Sequence, residues 1–148
     1  MTRIEATRVV PAPREDVFAF LSDLGNHWAV AGRWIEVVAL DGGGGGGRVR
    51  IRGPLGLRRT ASTSVDRVQP PDRLEGTALL GRTRAEVAWT LHARDAAATE
   101  VELAAVVVRA GAFDRIVLGL GGAAWMRRLF AATLAHLAER FAARRARA

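Results

Sequence analysis

The sequence predicts an α+β fold in which a curved antiparallel sheet of about seven strands wraps a long C-terminal helix. Three observations lead there. Between Trp34 and Arg109 apolar residues recur mostly with a period of two, in runs divided by turn residues at hairpin spacing. From Ala123 to Ala146 few helix breakers occur, and Met126, Phe130, Thr133, Leu134, Leu137 and Phe141 form a stripe at helical spacing. The 148 residues suit one domain, 1–148, with a core of its own.

Taken in order, Thr2–Val10 alternates as a first strand and stops at Pro11 and Pro13. Pro13 followed by Glu15 and Asp16 opens a helix, because proline suits a first turn and acidic residues meet the positive end of the helix dipole. Val17, Phe18, Phe20, Leu21 and Leu24 give that helix its apolar stripe, and Gly25-Asn26 ends it. His27 to Gly32 has room for one more helical turn or a loop. Trp34–Leu40 reads as a strand, followed by Asp41 and six consecutive glycines, Gly42–Gly47.

That run suits neither a helix nor a well-packed strand, so it is expected to be a hairpin connection. A phosphate-cradling loop is excluded, because no Gly-Lys-Ser/Thr element or helix start follows. Instead Arg48–Arg52 alternates, with Val49 and Ile51 on one side and three arginines on the other. Gly53–Gly56 then makes a turn. Strands are expected over Leu57–Val68, Arg73–Leu80, Thr83–Ala93 and Glu100–Arg109, with turns at Gln69–Asp72 and near Gly81. Ala85, Val87, Trp89 and Leu91 share the dry face with Val101, Leu103, Ala105 and Val107, while Arg84, Glu86, Thr90 and His92 face water.

A short helix fits Phe113–Leu120, interrupted by Gly119, Gly121 and Gly122. The final helix, about 30 Å long, is the one element able to cover the sheet. Crossing a concave surface, it touches the rims more readily than the centre, and an apolar cavity is expected between them.

Cysteine is absent, which excludes disulfides and thiolate metal sites. The net charge of +7 comes from 22 arginines and no lysine, a bias that a GC-rich coding sequence produces. The arginines are scattered rather than grouped with stacking aromatics, so a nucleic-acid platform is not expected. Their one cluster, Arg140, Arg144, Arg145 and Arg147, reads as a solvated end of the last helix, frayed over 139–148. No apolar leader opens the chain, no apolar run can span a bilayer, and a cytoplasmic protein is expected.

Residues 9–24, Val-Val-Pro-Ala-Pro-Arg-Glu-Asp-Val-Phe-Ala-Phe-Leu-Ser-Asp-Leu, resemble the opening segment of the START/Bet v 1-like (SRPBCC) superfamily, above all its polyketide cyclase/dehydrase and lipid-transport group. Val65–Leu74, the strand with Trp89, Ala98–Leu103 and the last helix extend the resemblance over the chain. It implies a helix-grip fold and a hydrophobic ligand that is lipid-, polyketide- or polycyclic-like. It equally admits an aromatase/cyclase- or dehydratase-like enzyme. The long glycine run and the missing tyrosines depart from the group's pattern.

Catalytic constellations are scarce. His27, His92 and His136 have no metal spacing, and neither metal nor cofactor is expected. His92 and His136 are expected to face solvent. His27, beside the predicted mouth, is the histidine placed to move a proton, although no hydrogen-bond partner is evident in sequence. Thr63 shares the inward parity of Ala61 and Val65, and Thr133 looks in from the helix; each hydroxyl either orients a ligand oxygen or bonds nearby backbone. Arg59 shares that parity and reaches the cavity edge for an acidic or enolate oxygen, or else ends the strand in water.

Glu75, Glu86, Glu100 and Glu102 belong to the wet face, Asp16 to a helix start and Asp23 to a helix end. The expected ligand wall is Trp28, Trp34, Val49, Ile51, Thr63, Trp89, Leu103, Met126, Phe130, Thr133 and Leu137; singly, each aromatic also suits plain core. Trp125, beside Arg127 and Arg128, suits a surface contact. The alternative partners are a membrane surface touched transiently, or another protein, through the basic helix end. A monomer or a homodimer is expected.

Overall fold

The computed structural model describes residues 2–32, 34–40, 46–53 and 57–147, apart from the side chain of residue 24. The expected glycine connection over 42–45 and the turn over 54–56 lie outside those residues. Strand β1 (Thr2–Val10) is followed by two short helices, α1 (Arg14–Leu21) and α2 (Leu24–Ala31). Six strands come next: β2 (Ile35–Leu40), β3 (Gly46–Arg52), β4 (Arg58–Gln69), β5 (Arg73–Leu80), β6 (Thr83–Asp95) and β7 (Ala98–Arg109). Helix α3 (Ala112–Val117) is separated from α4 (Ala123–Arg147) by a kink within Leu118–Gly122, where Leu120 and Gly121 (φ 104°) leave helical geometry. Sheet order is β1-β7-β6-β5-β4-β3-β2, antiparallel throughout, so the first strand closes onto the last. This is the expected helix-grip architecture, seven strands around a long C-terminal helix.

Local chemistry moves several boundaries. Pro13 stands just before α1 rather than in its first turn, and its carbonyl accepts from the Asp16 and Val17 amides. Gly25-Asn26 does not end the first helix. The chain breaks earlier, at Ser22, whose hydroxyl donates to Phe18 O at 2.8 Å. Asp23 then starts α2 by accepting from the Gly25 amide at 3.0 Å, a cap that offsets the low helix propensity of glycine. Asp23 is therefore a helix start, not a helix end. His27 and Trp28 stand on a two-turn helix that closes at Gly32 (φ 91°).

Gly46 and Gly47, expected in a loop, begin β3 and pair with Ser64 and Thr63. A Cβ on Gly47 would stand 2.7 Å from Ala39 O, so the missing side chain is what lets β2 approach. Helix α4 extends to Arg147. Arg140 lies over the Phe20 ring and Arg144 over Phe141, which gives the basic end apolar footing.

The core is lopsided. Val10, Val17, Leu21, Leu91, Val101, Leu134, Leu137 and Phe141 are fully or almost fully buried in one cluster joining α1 and α4 to the β1/β7/β6 side. Helix α4 packs on β1 and against α2 rather than crossing the whole sheet. Thr99, wholly buried, donates to Ala12 O at 2.8 Å and ties the β1–α1 corner to β7. Strands β3 to β5 curve away from α4 and leave a hollow. Among the described residues, no helix is long and apolar enough to cross a membrane.

Candidate functional site

The hollow is a cavity of about 190 Å³. Helix α2 contributes His27, Trp28 and Ala31 to its wall; Trp34 and Ile35 follow at the entry to β2. The sheet supplies Val49 and Ile51 from β3, Ala61, Thr63 and Val65 from β4, Leu74, Ala78 and Leu80 from β5, Val87 and Trp89 from β6, and Leu103 from β7. Helix α4 adds Met126, Phe130 and Thr133. Leu137 is not in this wall: one turn beyond Thr133, it is fully buried in the core cluster. Glu75 and Thr77 also border the space, but β5 alternation turns their side chains to the wet face opposite Leu74 and Gly76.

Few polar atoms meet this wall, and most are committed. Thr63 Oγ1 donates to Gly47 O at 3.3 Å, and Thr133 Oγ1 to Leu129 O at 2.8 Å. Each hydroxyl has spent its proton on backbone and keeps only lone pairs. His27 is buried; its Nε2 lies 2.6 Å from Leu21 O, and because a carbonyl can only accept, Nε2 carries the hydrogen and Nδ1 is the basic nitrogen. Burial, which strips water from the charged ring, lowers the imidazole pKa, against the opposing pull of Leu21 O and Asp23. The ring is neutral at pH 7, packed 5.3 Å from Trp89 and 6.2 Å from Trp28. The partner not evident in sequence is thus a main-chain carbonyl.

Arg59 does not enter the cavity. It pairs with Asp114 of α3, donates to Leu80 O at 3.5 Å and lies over the Phe113 ring. Thr83 donates to Asp114 as well and accepts from the Gly111 amide at 3.1 Å. Burial opposes the Asp114 charge, but hydrogen bonds from Arg59 and Thr83 and the Arg59 charge outweigh it, holding the carboxyl below its ordinary range. This group latches α3 to the β4–β6 end of the sheet. Sequence reasoning gave Asp114 no role, since its partner lies 55 residues away.

Trp125 is no free surface contact: its ring packs edge-on to Trp34 at 6.4 Å. His136 stays exposed, as expected, yet its Nδ1 lies 2.8 Å from Val30 O at the end of α2. His92 is exposed. No cluster of metal-binding side chains occurs among the described residues.

Residues 1–142 match a family model described as polyketide cyclase / dehydrase and lipid transport. The chain belongs to that family. Its fold is shared with TTHA0849 from Thermus thermophilus (23% identity, TM-score 0.67, covering 96% of this chain and 98% of that one). It is shared also with the Zhui aromatase/cyclase from Streptomyces sp. R1128 (17% identity, TM-score 0.61, covering 91% and 93%). A START superfamily protein from Mycobacterium smegmatis is similar over 96% of this chain and 95% of its own (15% identity, TM-score 0.58). A search of curated proteins finds no match.

Proposed function

We propose that the chain binds a small hydrophobic molecule in the hollow between sheet and C-terminal helix. The observation that supports this is the cavity itself: about 190 Å³ left open beside Trp89, with a mostly apolar wall. A dry apolar void of about 150 Å³ is enough to take up benzene, so a guest of one or two rings, or a short acyl chain, suits the space. Leaving such a void empty forfeits dispersion contacts on all sides, which a guest restores. Native mass spectrometry of the purified protein tests the proposal. The expected result is an added small mass that disappears under denaturing conditions. Protein without such a mass that also gains no thermal stability from any of a panel of one- and two-ring compounds would overturn it.

A second reading, a cyclase- or dehydratase-like reaction on a poly-carbonyl chain, is favoured by the neutral His27 bordering the cavity and by family membership. Catalysis would then rest on orientation more than on a strong base. Turnover of a poly-β-ketone substrate that drops at least tenfold in His27→Gln, with the fold intact, supports this reading; equal turnover removes it.

A further inference from the structure

Helix α3 and the kink after it carry an apolar stripe turned to water. Phe113, Ile116 and Leu120 follow the three- and four-residue spacing of one helical face, and they are 54%, 60% and 83% exposed. The same segment turns Asp114 to Arg59 and packs Leu118 on the core, so the stripe faces away from the body. A Cβ built on Gly119 or Gly121 would meet nothing within 4 Å, so the kink stands clear of the rest of the chain. The surroundings of this tip are cationic. The Arg82 Cβ lies 3.5 Å from a Cβ built on Gly111. Arg109 Nε donates to Arg82 O at 3.1 Å, and Arg115 Nε to Ala110 O at 3.1 Å. Arg84 stands opposite Arg109 on the β6–β7 ladder, a placement of like charges that destabilises a sheet. All four arginines are exposed, and among the described residues none forms an ion pair with a carboxylate. Asp114, the carboxylate beside them, is taken by Arg59.

We propose that this end of the molecule docks on an anionic lipid bilayer, with Phe113, Ile116 and Leu120 entering the headgroup–acyl boundary and Arg82, Arg84, Arg109 and Arg115 meeting the headgroup charge. Apolar side chains within a cationic rim are what such an interface takes up. A second copy of the chain would bring the same four cations face to face. A nucleic acid would engage the arginines yet leave Ile116 and Leu120 wet, and the one aromatic ring of the stripe, Phe113, is already overlain by Arg59. A protein partner would need a hollow shaped to a protruding tip, whereas a bilayer closes around it. Among the described residues no large apolar side chain of α4 is exposed, which favours α3 over the basic helix end as the contact. The docking surface is separate from the cavity and stands or falls without the ligand-binding reading.

Flotation of the whole chain with vesicles tests the proposal, comparing phosphatidylcholine alone with the same lipid carrying about 30 mol% phosphatidylglycerol. Each arginine near an anionic surface strengthens partitioning about fivefold, so binding to the anionic vesicles should be at least about a hundredfold tighter and should weaken as salt is raised. Arg82→Gln/Arg84→Gln should weaken it by about twenty-five-fold. Ile116→Ser/Leu120→Ser, at unchanged charge, should weaken it at least about tenfold. Both pairs are exposed, so the melting temperature should hold in each variant. Equal binding to neutral and anionic vesicles by the unaltered protein overturns the proposal, and so does binding that the serine pair leaves unchanged. A DNA duplex bound as tightly as the anionic vesicles overturns the lipid assignment.

Discussion

Burial strips water from His27 and outweighs the pull of Leu21 O and Asp23 towards the charged ring, so the folded protein resists placing a charge there. The unfolded chain has no such objection and takes up a proton near pH 6.5. Since the folded pKa is lowered, the unfolded state binds more protons as pH falls through that value, and stability declines with it. The contribution is complete above about pH 6.5 and is lost progressively below. Urea unfolding of the unaltered protein at pH 7.5 and 5.5 should reveal a loss approaching the slope of one proton, at most about 1.4 kcal/mol per pH unit. His27→Gln should flatten this part of the profile, and an identical profile in the variant would place the acid sensitivity elsewhere.

Among the secondary-structure elements, α3 depends most on a single polar group. It is six residues long, has no buried residue of its own, and exposes Phe113 and Ile116, so little but the Arg59–Asp114–Thr83 group holds it down. Asp114→Asn keeps the shape and removes the charge. Amide exchange across residues 112–122 should then quicken by about tenfold or more, as expected for losing charge-assisted hydrogen bonds. The middle of α4 should exchange as before; unchanged exchange in α3 would show that the latch contributes nothing. Elements were legible in the sequence where one face is buried, because period-two alternation in Arg48–Arg52 or Thr83–Leu91 leaves no other register for the apolar side chains. They were illegible where a local polar contact outweighed propensity. Asp23 starts a helix through Gly25-Asn26, and Gly46-Gly47 joins a strand because β2 needs the room. Contacts between distant segments, Arg59 with Asp114 or Trp125 with Trp34, have no periodic signature at all.

The molecule as a whole divides into a packed side and a hollow side, and substitutions should report which is which. Leu137→Ala removes a fully buried side chain from the core cluster and should destabilise by about 2–5 kcal/mol in urea unfolding. Met126→Ala, about three turns away on the same helix but beside an existing void, should cost about 1 kcal/mol, since fewer neighbours are lost. Comparable losses at both positions would mean the hollow is filled. Most of the candidate wall could be read from strand parity and the α4 stripe. Leu137 was misassigned because a helical stripe names a buried face without saying whether a strand or empty space lies opposite.

The tether between His136 and Val30 O joins the two helices that roof the hollow. With α2 pinned to α4, the Trp28 indole and His27 imidazole on one helix and the Met126 thioether and Phe130 ring on the other travel together. A bulkier occupant must then gain its room from the opposite floor. That floor is β3 to β5, where the ladder already skips a residue between Val65 and Arg67 and Gly76 lets the Ser64 carbonyl crowd in, so under the ligand-binding proposal these three strands are the part that would yield to a larger guest.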